Sequence, residues 1–262
     1  MMSLLKRLAK PADRPVVMTI TGEAGVGKTS LACTFPNPVV LQFEDGLQSL
    51  PEADRPMATG VIADATSLYE WLEALYNDEH EYKTLIIDSV TGMDEVLKAE
   101  IISHEEKELH KTMAAACGGF GKAYTRLSEH HKTVRDWCQS LNTDKGMHVV
   151  AIAHSIVENL DLPDTDAFQR FSVNLTKNKQ GDCQKHWVDN VDVVAFVRMK
   201  TILKGDKSRE KQKAMTDGSR TVDCRPNPAN VSKNRYNIDK VLPFTLGVNP
   251  FSPYIPSLGV TK

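Results

Sequence analysis

The sequence predicts an α/β fold in which a mostly parallel sheet is flanked by helices and is followed by a strand-rich C-terminal part. As far as His154, β-favouring runs alternate with segments whose apolar residues recur at helical spacing, as in parallel sheets with helical crossovers. The apolar runs at 84–87 and 148–153 are typical of strands that are buried on both faces. After His154, β-favouring runs follow one another without long helices between them.

The predicted elements follow in chain order. A strand at 15–21 leads through a glycine-rich turn into a helix at 28–35, which Pro36 and Pro38 end. The remaining predictions are strands at 39–43, 84–87 and 148–153, helices at 67–76, from 91 and at 122–141, and later strands at 168–175, 193–199, 220–224 and before Lys233.

We expect one domain over residues 1–262, because neither an internal repeat nor a flexible linker divides the chain. Residues 1–14 are expected to be an N-terminal docking segment, with Leu4, Leu5 and Leu8 on the apolar face of a short helix. Residues 245–262 are expected to be a C-terminal tail.

Composition excludes several classes of protein. The net charge is −2, so the chain as a whole has no electrostatic preference for nucleic acid, and such a site must be a local patch. The five cysteines are scattered without a C-x-x-C pair, which argues against a disulfide framework and a structural zinc and indicates a reducing compartment. No apolar run approaches the roughly 18 residues of a membrane span. We therefore expect a cytoplasmic protein.

The strongest motif lies between the first predicted strand and helix. Residues 22–29 satisfy the spacing G-x-x-x-x-G-K-[ST] in that required context. Glycines let backbone N–H groups converge on phosphate oxygens, Lys28 carries charge to the β and γ phosphates, and the Thr29 hydroxyl is a ligand for Mg²⁺. The motif predicts a site for ATP or a close relative with Mg²⁺. Its binding residues are Gly22, Glu23, Ala24, Gly25, Val26, Gly27, Lys28, Thr29 and Ser30.

Two acidic residues complete the predicted site. Asp88 ends the apolar run at 84–87 and is the natural second Mg²⁺ contact, although it could instead cap the helix that follows. Glu44 stands just beyond the second strand, where side chains point into the ligand crevice of open α/β sheets. Glu44 is therefore a candidate to orient or deprotonate the attacking water. The alternative is that Glu44 and Asp45 are a polar turn before Gly46.

Four further motifs follow the phosphate loop. They are Leu41-Gln-Phe-Glu44, Ile86-Ile-Asp88-Ser89-Val90, Ile152-Ala-His154, and Lys233-Asn-Arg235 with Pro243-Phe244 after it. This ordered set resembles the RecA recombinase core over residues 15–245. The chain looks closer still to compact phage ATPases of that superfamily, which are associated with single-strand annealing and share the phosphate loop, the Ile-Ile-Asp-Ser strand, the Ala-His ending and the late Lys-Asn-Arg-Tyr.

The resemblance implies a RecA-like P-loop ATPase, slow and stimulated by DNA or by assembly. Glu44 would polarise the attacking water, His154 would sense the γ-phosphate, and Lys233 and Arg235 would act in trans on a neighbour's ATP. His154 stands where RecA has a glutamine, and Arg235 where it has a lysine. The alternatives are a histidine at a strand end and a solvated basic pair. Beside RecA the sequence shows no counterpart of the large C-terminal domain, so the resemblance implies annealing or an accessory role rather than autonomous strand exchange.

The resemblance also implies two DNA loops, here at 103–120 and 155–187. The second contains Lys177 and Lys179, with Lys185 close by, and a basic excess extends over 198–225. Phe171 and Trp187 are candidate stacking faces for bases, or else core residues. His104, His110, His130 and His131 show no metal-ligand spacing and are expected on helix surfaces.

The implied partners are single-stranded DNA, further copies of this chain in a filament or ring with shared active sites, and as a further candidate a single-strand-binding protein. The implied place is the cytoplasm, of the host if the protein is phage-encoded. Two alternatives stay open. One is a hexameric helicase-type motor or a protein-loading P-loop ATPase that does not bind DNA directly. The other is a nucleotide-dependent switch with negligible hydrolysis, which applies if Glu44 is inert.

Overall fold

The structure, a computed structural model, describes residues 12–204 and 213–259. Residues 1–11 of the expected docking segment, 205–212 of the basic region and 260–262 of the expected tail therefore lie outside the described residues.

Helices and strands alternate along the first part of the chain. The helices are α1 Lys28–Ala32, α2 Ala65–Asn77, α3 Val90–Ser103, α4 Lys122–Asp144 and α5 Gln184–Val188. The strands are β1 Val17–Gly22, β2 Pro38–Gln42, β3 Met57–Val61, β4 Thr84–Asp88, β5 His148–Leu160, β6 Phe168–Val173, β7 Val193–Lys204, β8 Lys213–Asp223, β9 Lys233–Asn234 and β10 Leu242–Phe244.

The strands form one sheet in the order β10-β8-β7-β1-β5-β4-β2-β3, with β6 paired to β5 and β9 paired to β7. The six neighbours from β7 to β3 pair in parallel, whereas β6, β8, β9 and β10 pair antiparallel. The predicted α/β fold, with its mostly parallel sheet and strand-rich C-terminal part, is confirmed.

Four elements were not predicted: β3, β9, β10 and α5. The strand expected before Lys233 is wrong, because β9 begins at Lys233 and has two residues. The strand β3 lies at the sheet edge with only Thr59 buried, so it has no buried apolar run to reveal it. The strand β10 contains Pro243, a residue that sheets accept at their edges. The helix α5 has only five residues, too few to show helical periodicity.

Side-chain caps fix where the two longer helices after β3 and β4 begin. The Asp64 carboxylate accepts a hydrogen bond from the Ser67 N–H at 2.7 Å and starts α2. The Ser89 hydroxyl accepts one from the Gly92 N–H at 3.0 Å and starts α3 directly after β4. Both residues are of the type that satisfies the free N–H groups of a first helical turn.

Apolar side chains cover both faces of the sheet. On one face α2, α3 and α4 pack against alternate residues of the central strands, such as Leu85 and Ile87. On the other face α1 packs with the segment 245–259, which was expected to be a tail. Phe251 and Ile255 of this segment are fully buried, and the Phe251 ring lies 6.4 Å from that of Phe35.

A buried polar network corrects one prediction, since His131 is fully buried rather than on a helix surface. The indole N–H of Trp187 donates to His131 Nδ1 at 2.9 Å, so Nε2 carries the proton and donates to Asp94 at 2.9 Å. The other Asp94 oxygen accepts from Thr176 at 2.8 Å and lies 2.7 Å from the Lys98 ammonium. The network therefore fastens the chain after β6 to α3 and α4.

The charge of Asp94 contributes to stability because its surroundings favour the ionised form. Burial alone would raise the pKa of Asp94, yet the hydrogen bonds of His131 and Lys98 and the charge of Lys98 lower it to about 2, from 3.8 in an ordinary aspartate. A group with a depressed folded-state pKa stabilises the fold above its unfolded pKa, and this contribution is lost as pH falls through the folded pKa.

We predict that Asp94→Asn lowers the free energy of unfolding near neutral pH by about 2 kcal/mol. The difference from wild type should narrow as pH falls from about 4 toward about 2, as measured by chemical denaturation. The control is Glu95→Gln, on the same helix and also paired with Lys98 but largely exposed, which should cost less than about 0.5 kcal/mol. Equal losses in the two variants would contradict the assignment.

Candidate active site

Four neighbouring strands bring the predicted site residues together at the edge of the sheet where the parallel strands have their carboxyl ends. Gly22 at the end of β1 aligns with His154 in β5, and Asp88 at the end of β4 aligns with Ile152 of β5 and Gln42 of β2. Because these strands are parallel, the residues that end them or follow them lie at the same edge. The loop after β1, Asp88, His154 and Glu44 therefore converge.

The phosphate loop has the backbone that its glycines predict. Gly25 and Gly27 have φ angles of 74° and 94°, which L side chains rarely adopt. At Gly22 a Cβ would lie only 2.2 Å from the carbonyl oxygen of Val197 on β7, so any side chain there would displace the loop. The loop therefore requires glycine for two different reasons, conformation and close packing.

Lys28 lies buried within the curve of this loop. Its ammonium donates to the carbonyl oxygens of Gly22 at 3.0 Å and Glu23 at 2.7 Å. Burial lowers the pKa of Lys28, while the negative charges of Asp88, Glu44 and Glu23 oppose the shift. The side chain is thus held with its charge directed to the concave side of the loop.

The predicted metal ligands lie side by side. The Thr29 hydroxyl donates to the Asp88 carboxylate at 2.8 Å. Burial raises the pKa of Asp88, and the neighbouring Glu44 adds to the shift. The alternative role of Asp88 as the cap of α3 is wrong, because Ser89 is that cap. The two oxygens form a donor set suited to a hard cation such as Mg²⁺.

Glu44, rather than Asp45, faces this site. The hydroxyl of Ser89 donates to Glu44 Oε1, and His154 Nε2 lies 3.2 Å and 3.3 Å from the two carboxylate oxygens. These hydrogen bonds, that of His154 first, lower the pKa of Glu44. Asp45 instead accepts from Gln48 in an exposed turn.

His154 is held by its backbone as well as by Glu44. Its N–H donates to the Thr91 hydroxyl at 3.0 Å, and its carbonyl accepts from the Asn174 N–H at 2.8 Å. The Thr91 hydroxyl in turn donates to the Asn174 carbonyl at 3.2 Å. His154 therefore connects the base of the site to the chain that follows β6.

Lys233 and Arg235 lie at the opposite edge of the sheet, where the parallel strands have their amino ends. They stand beside the first residues of β7, which align with the start of β1 rather than with Gly22. Arg235 pairs with the buried Asp192 at 2.9 Å, and the Lys233 ammonium donates to the Asp189 carbonyl at 2.5 Å. Burial lowers the pKa of Lys233, and the Arg235 charge adds to the shift. Neither residue contributes to the phosphate loop of its own chain.

The predicted DNA residues occupy the turn after β6 and the start of α5. Lys177, Lys179 and Lys185 are exposed. Trp187, in contrast, is 1% exposed, and Phe171 packs against Phe196 with ring centroids 5.0 Å apart. Trp187 therefore belongs to the interior, and its interpretation as a stacking face is wrong, whereas Phe171 is half-buried.

Several residues around the site were not found from the sequence. Arg220 of β8 donates to the Val26 carbonyl at 3.1 Å, and Phe244 and Leu246 lie against Gly27. A cavity of about 640 Å³ adjoins Ser30. Its wall includes Cys33 and Thr34, which directly follow α1, and Leu50, Pro51 and Leu246. These residues come from three distant segments, and nothing in their spacing connects them to the phosphate loop.

One cluster has ligand types without the properties of a metal site. Polar atoms of Asp94, His131 and Cys183 lie within 4.8 Å of one another, all buried. Trp187 occupies one ring nitrogen of His131, however, and the other carries the proton donated to Asp94. The Lys98 ammonium also occupies Asp94. His131 has no free lone pair for a cation, so the cluster is a hydrogen-bond network.

The fold and this site define a P-loop nucleoside triphosphatase domain of the α/β type. A family model described as an AAA domain matches residues 14–236, and the chain belongs to this family. Domains of this type are nucleotide-binding ATPases. The curated proteins compared with the chain include no match to it. None of the helices described, over residues 12–204 and 213–259, is long and apolar enough to cross a membrane.

Proposed function

We propose that this protein binds ATP with Mg²⁺, hydrolyses it, and acts on single-stranded DNA in phage recombination or annealing. The observation that carries the ATPase part is the convergence of Lys28, the Thr29–Asp88 pair, Glu44 and His154 at one sheet edge. These residues supply a cation that binds the phosphates, two metal ligands, a general base for the attacking water, and a polar contact for the terminal phosphate.

The cavity beside Ser30 supports the assignment of a nucleoside site. It begins at the residue that follows Thr29 and has both apolar walls, from Leu50, Pro51 and Leu246, and polar groups, from Thr34 and Asn37. Its volume of about 640 Å³ lies in the range of small-molecule sites. A base and ribose would enter it while the phosphates stay on the loop.

The residues divide the chemistry among them. ATP and Mg²⁺ would supply the phosphoanhydride bond and the charge that neutralises the leaving phosphate. Glu44 is held ionised and accepts a proton from the attacking water or orients it. His154 contacts Glu44, and its strand lies next to the strand that leads into the phosphate loop. In that position its ring can also contact the terminal phosphate.

We predict that Glu44→Gln binds nucleotide within about twofold of wild type but loses turnover by about 10²-fold or more. Nucleotide titration and steady-state phosphate release measure the two quantities. The matched control is Asp45→Asn, because the neighbouring carboxylate faces Gln48 instead of the site. If only the Asp45 variant loses turnover, Asp45 and not Glu44 is the general base. Normal turnover in Glu44→Gln would support a nucleotide switch.

A surface beside the active site supports the DNA part of the proposal. Phe120 is 93% exposed, and Gly121 next to it contacts Gln180 in the turn that bears Lys177 and Lys179. This turn follows β6 a few residues after Asn174, which is bonded to His154. An exposed aromatic face beside exposed lysines is the arrangement that binds unpaired bases and their phosphates.

We predict that Phe120→Ala weakens binding of single-stranded DNA about tenfold at every salt concentration, since a stacked base contributes roughly 1–3 kcal/mol. Lys177→Ala/Lys179→Ala should instead reduce the salt dependence, by about 0.7 in the log–log slope per lysine. Fluorescence anisotropy over a salt series measures both. The controls are Trp71→Ala on α2 and Lys83→Ala at the opposite sheet edge.

Absence of DNA binding at about 50 mM salt with ATP and Mg²⁺ would contradict this part of the proposal. The protein-loading alternative would then replace it.

The positions of Lys233 and Arg235 support sites that are shared between subunits. Both lie at the edge opposite their own phosphate loop, so any contact with ATP requires a second copy. A homo-oligomer, either a filament or a ring, would supply that contact. In it the edge that carries Lys233 and Arg235 on one subunit would meet the phosphate loop of the next. Comparable trans-acting cations contribute roughly 10³ to 10⁵ in rate.

We predict that Lys28→Ala and Lys233→Ala/Arg235→Ala are each nearly inactive, and that their mixture regains part of the ATPase activity. Some interfaces in the mixture would join an intact loop to an intact pair of cations. The matched control is Arg14→Ala, which removes the other arginine bound to Asp192 and should stay active. Co-assembly without recovery, or equal loss in the Arg14 variant, would leave only a structural role for Arg235.

A further inference from the structure

The beginning of α3 contacts both polar groups at the base of the active site. Ser89 caps this helix, and its hydroxyl donates a hydrogen bond to Glu44 Oε1. Thr91, two residues later, accepts the N–H of His154 at 3.0 Å. One helical turn thus holds the carboxylate that faces the site and the histidine that contacts it.

Ser89 has the residue type that this double contact requires. Its side chain is fully buried, so its hydroxyl has no competing water in the fold. A hydroxyl can accept from the Gly92 N–H and donate to Glu44 at the same time, whereas an aspartate cap could only accept. At Asp64, where α2 begins, an acceptor alone suffices, and the cap is an aspartate.

Gly92 completes the arrangement by leaving room for Glu44. A Cβ at this position would lie 3.2 Å from Glu44 Oε1 and 3.0 Å from the Cβ of Phe43. Any larger residue would therefore push on the carboxylate or on the chain that carries it. Since φ at Gly92 is not positive, the constraint is packing and not backbone conformation.

Thr91 fixes the second polar group in a similar way. Its hydroxyl accepts from His154 and donates to the Asn174 carbonyl at 3.2 Å, so both of its hydrogen-bonding roles are used. The His154 backbone cannot shift along β5 without breaking this contact. The separation between His154 and Glu44 is therefore set by two hydroxyls on the same helical turn.

We propose that Ser89 and Thr91 are positioning residues for hydrolysis, with Ser89 aiming the Glu44 carboxylate and Thr91 holding His154 against it. The proposal rests on the proposed function, because it acts through Glu44 as the base. Neither residue contacts the phosphate loop, so both should affect turnover and not nucleotide binding. A misplacement of a catalytic group by about 1 Å can cost about 10²-fold in rate.

The test compares Ser89→Ala with Glu44→Gln and with the double variant. Ser89→Ala should lower kcat at least about tenfold, with nucleotide affinity within about twofold of wild type. If Ser89 acts through Glu44, adding Ser89→Ala to Glu44→Gln should lower kcat no further. Asp64→Ala is the matched control, since it removes a helix cap from α2 without a contact to the site and should leave kcat unchanged.

Thr91→Val keeps the shape of the side chain and serves as a second variant if Ser89→Ala unfolds. It should also lower kcat with nucleotide affinity preserved. Additive losses in the double variant, or a kcat loss in Asp64→Ala as large as in Ser89→Ala, would overturn the proposal. If Glu44→Gln is inactive while Ser89→Ala and Thr91→Val both have a normal kcat, the positioning proposal is overturned and the assignment of Glu44 as the base stands. Normal kcat in Glu44→Gln would instead overturn the assignment of the base and the proposal with it.

Discussion

The parallel pairing of β1, β5, β4 and β2 is the constraint on which the site depends. A parallel sheet aligns the carboxyl ends of strands that are far apart in sequence, so one register brings Gly22, His154 and Asp88 to a common edge. A shift of one residue in β5 would turn His154 to the other face of the sheet and remove it from Glu44. The apolar side chains buried on both faces fix that register, so the core determines the geometry of the polar edge.

The same edge concentrates charges that oppose one another. Lys28 is buried near Asp88 and Glu44, and each of these carboxylates affects the pKa of the lysine. Burial favours the neutral form of Asp88, whereas hydrogen bonds from His154 and Ser89 favour the ionised form of Glu44. The two acids are thus separated by their surroundings, one beside a hydroxyl ligand and one between two donors.

The sequence was sufficient wherever a local pattern determines a local structure. The phosphate loop follows from its glycines, and β4 and the first half of β5 follow from their apolar runs, so Lys28, Thr29 and Asp88 could be selected as candidate site residues from the sequence. The sequence left open whether Glu44 faces the site or forms a polar turn with Asp45, because that choice depends on contacts with His154, 110 residues away. Burial of His131 and Trp187 was missed for a similar reason, since each hydrogen-bonds the other across 56 residues. Phe120 was not selected because exposure of an aromatic residue is a property of tertiary packing.

The central position of β1 has a consequence for how the chain acquires its structure. β1 is the first strand of the described residues, yet it pairs with β5 and β7, and the contacts beside those pairs span 132 and 175 residues. Residues 251–258, which pack beneath α1, come later still. During synthesis the phosphate loop therefore emerges long before the strands that hold it. Contacts of such separation slow folding and leave apolar strands exposed meanwhile, so a nascent chain of this protein would depend on protection from aggregation until residues 251–258 are made.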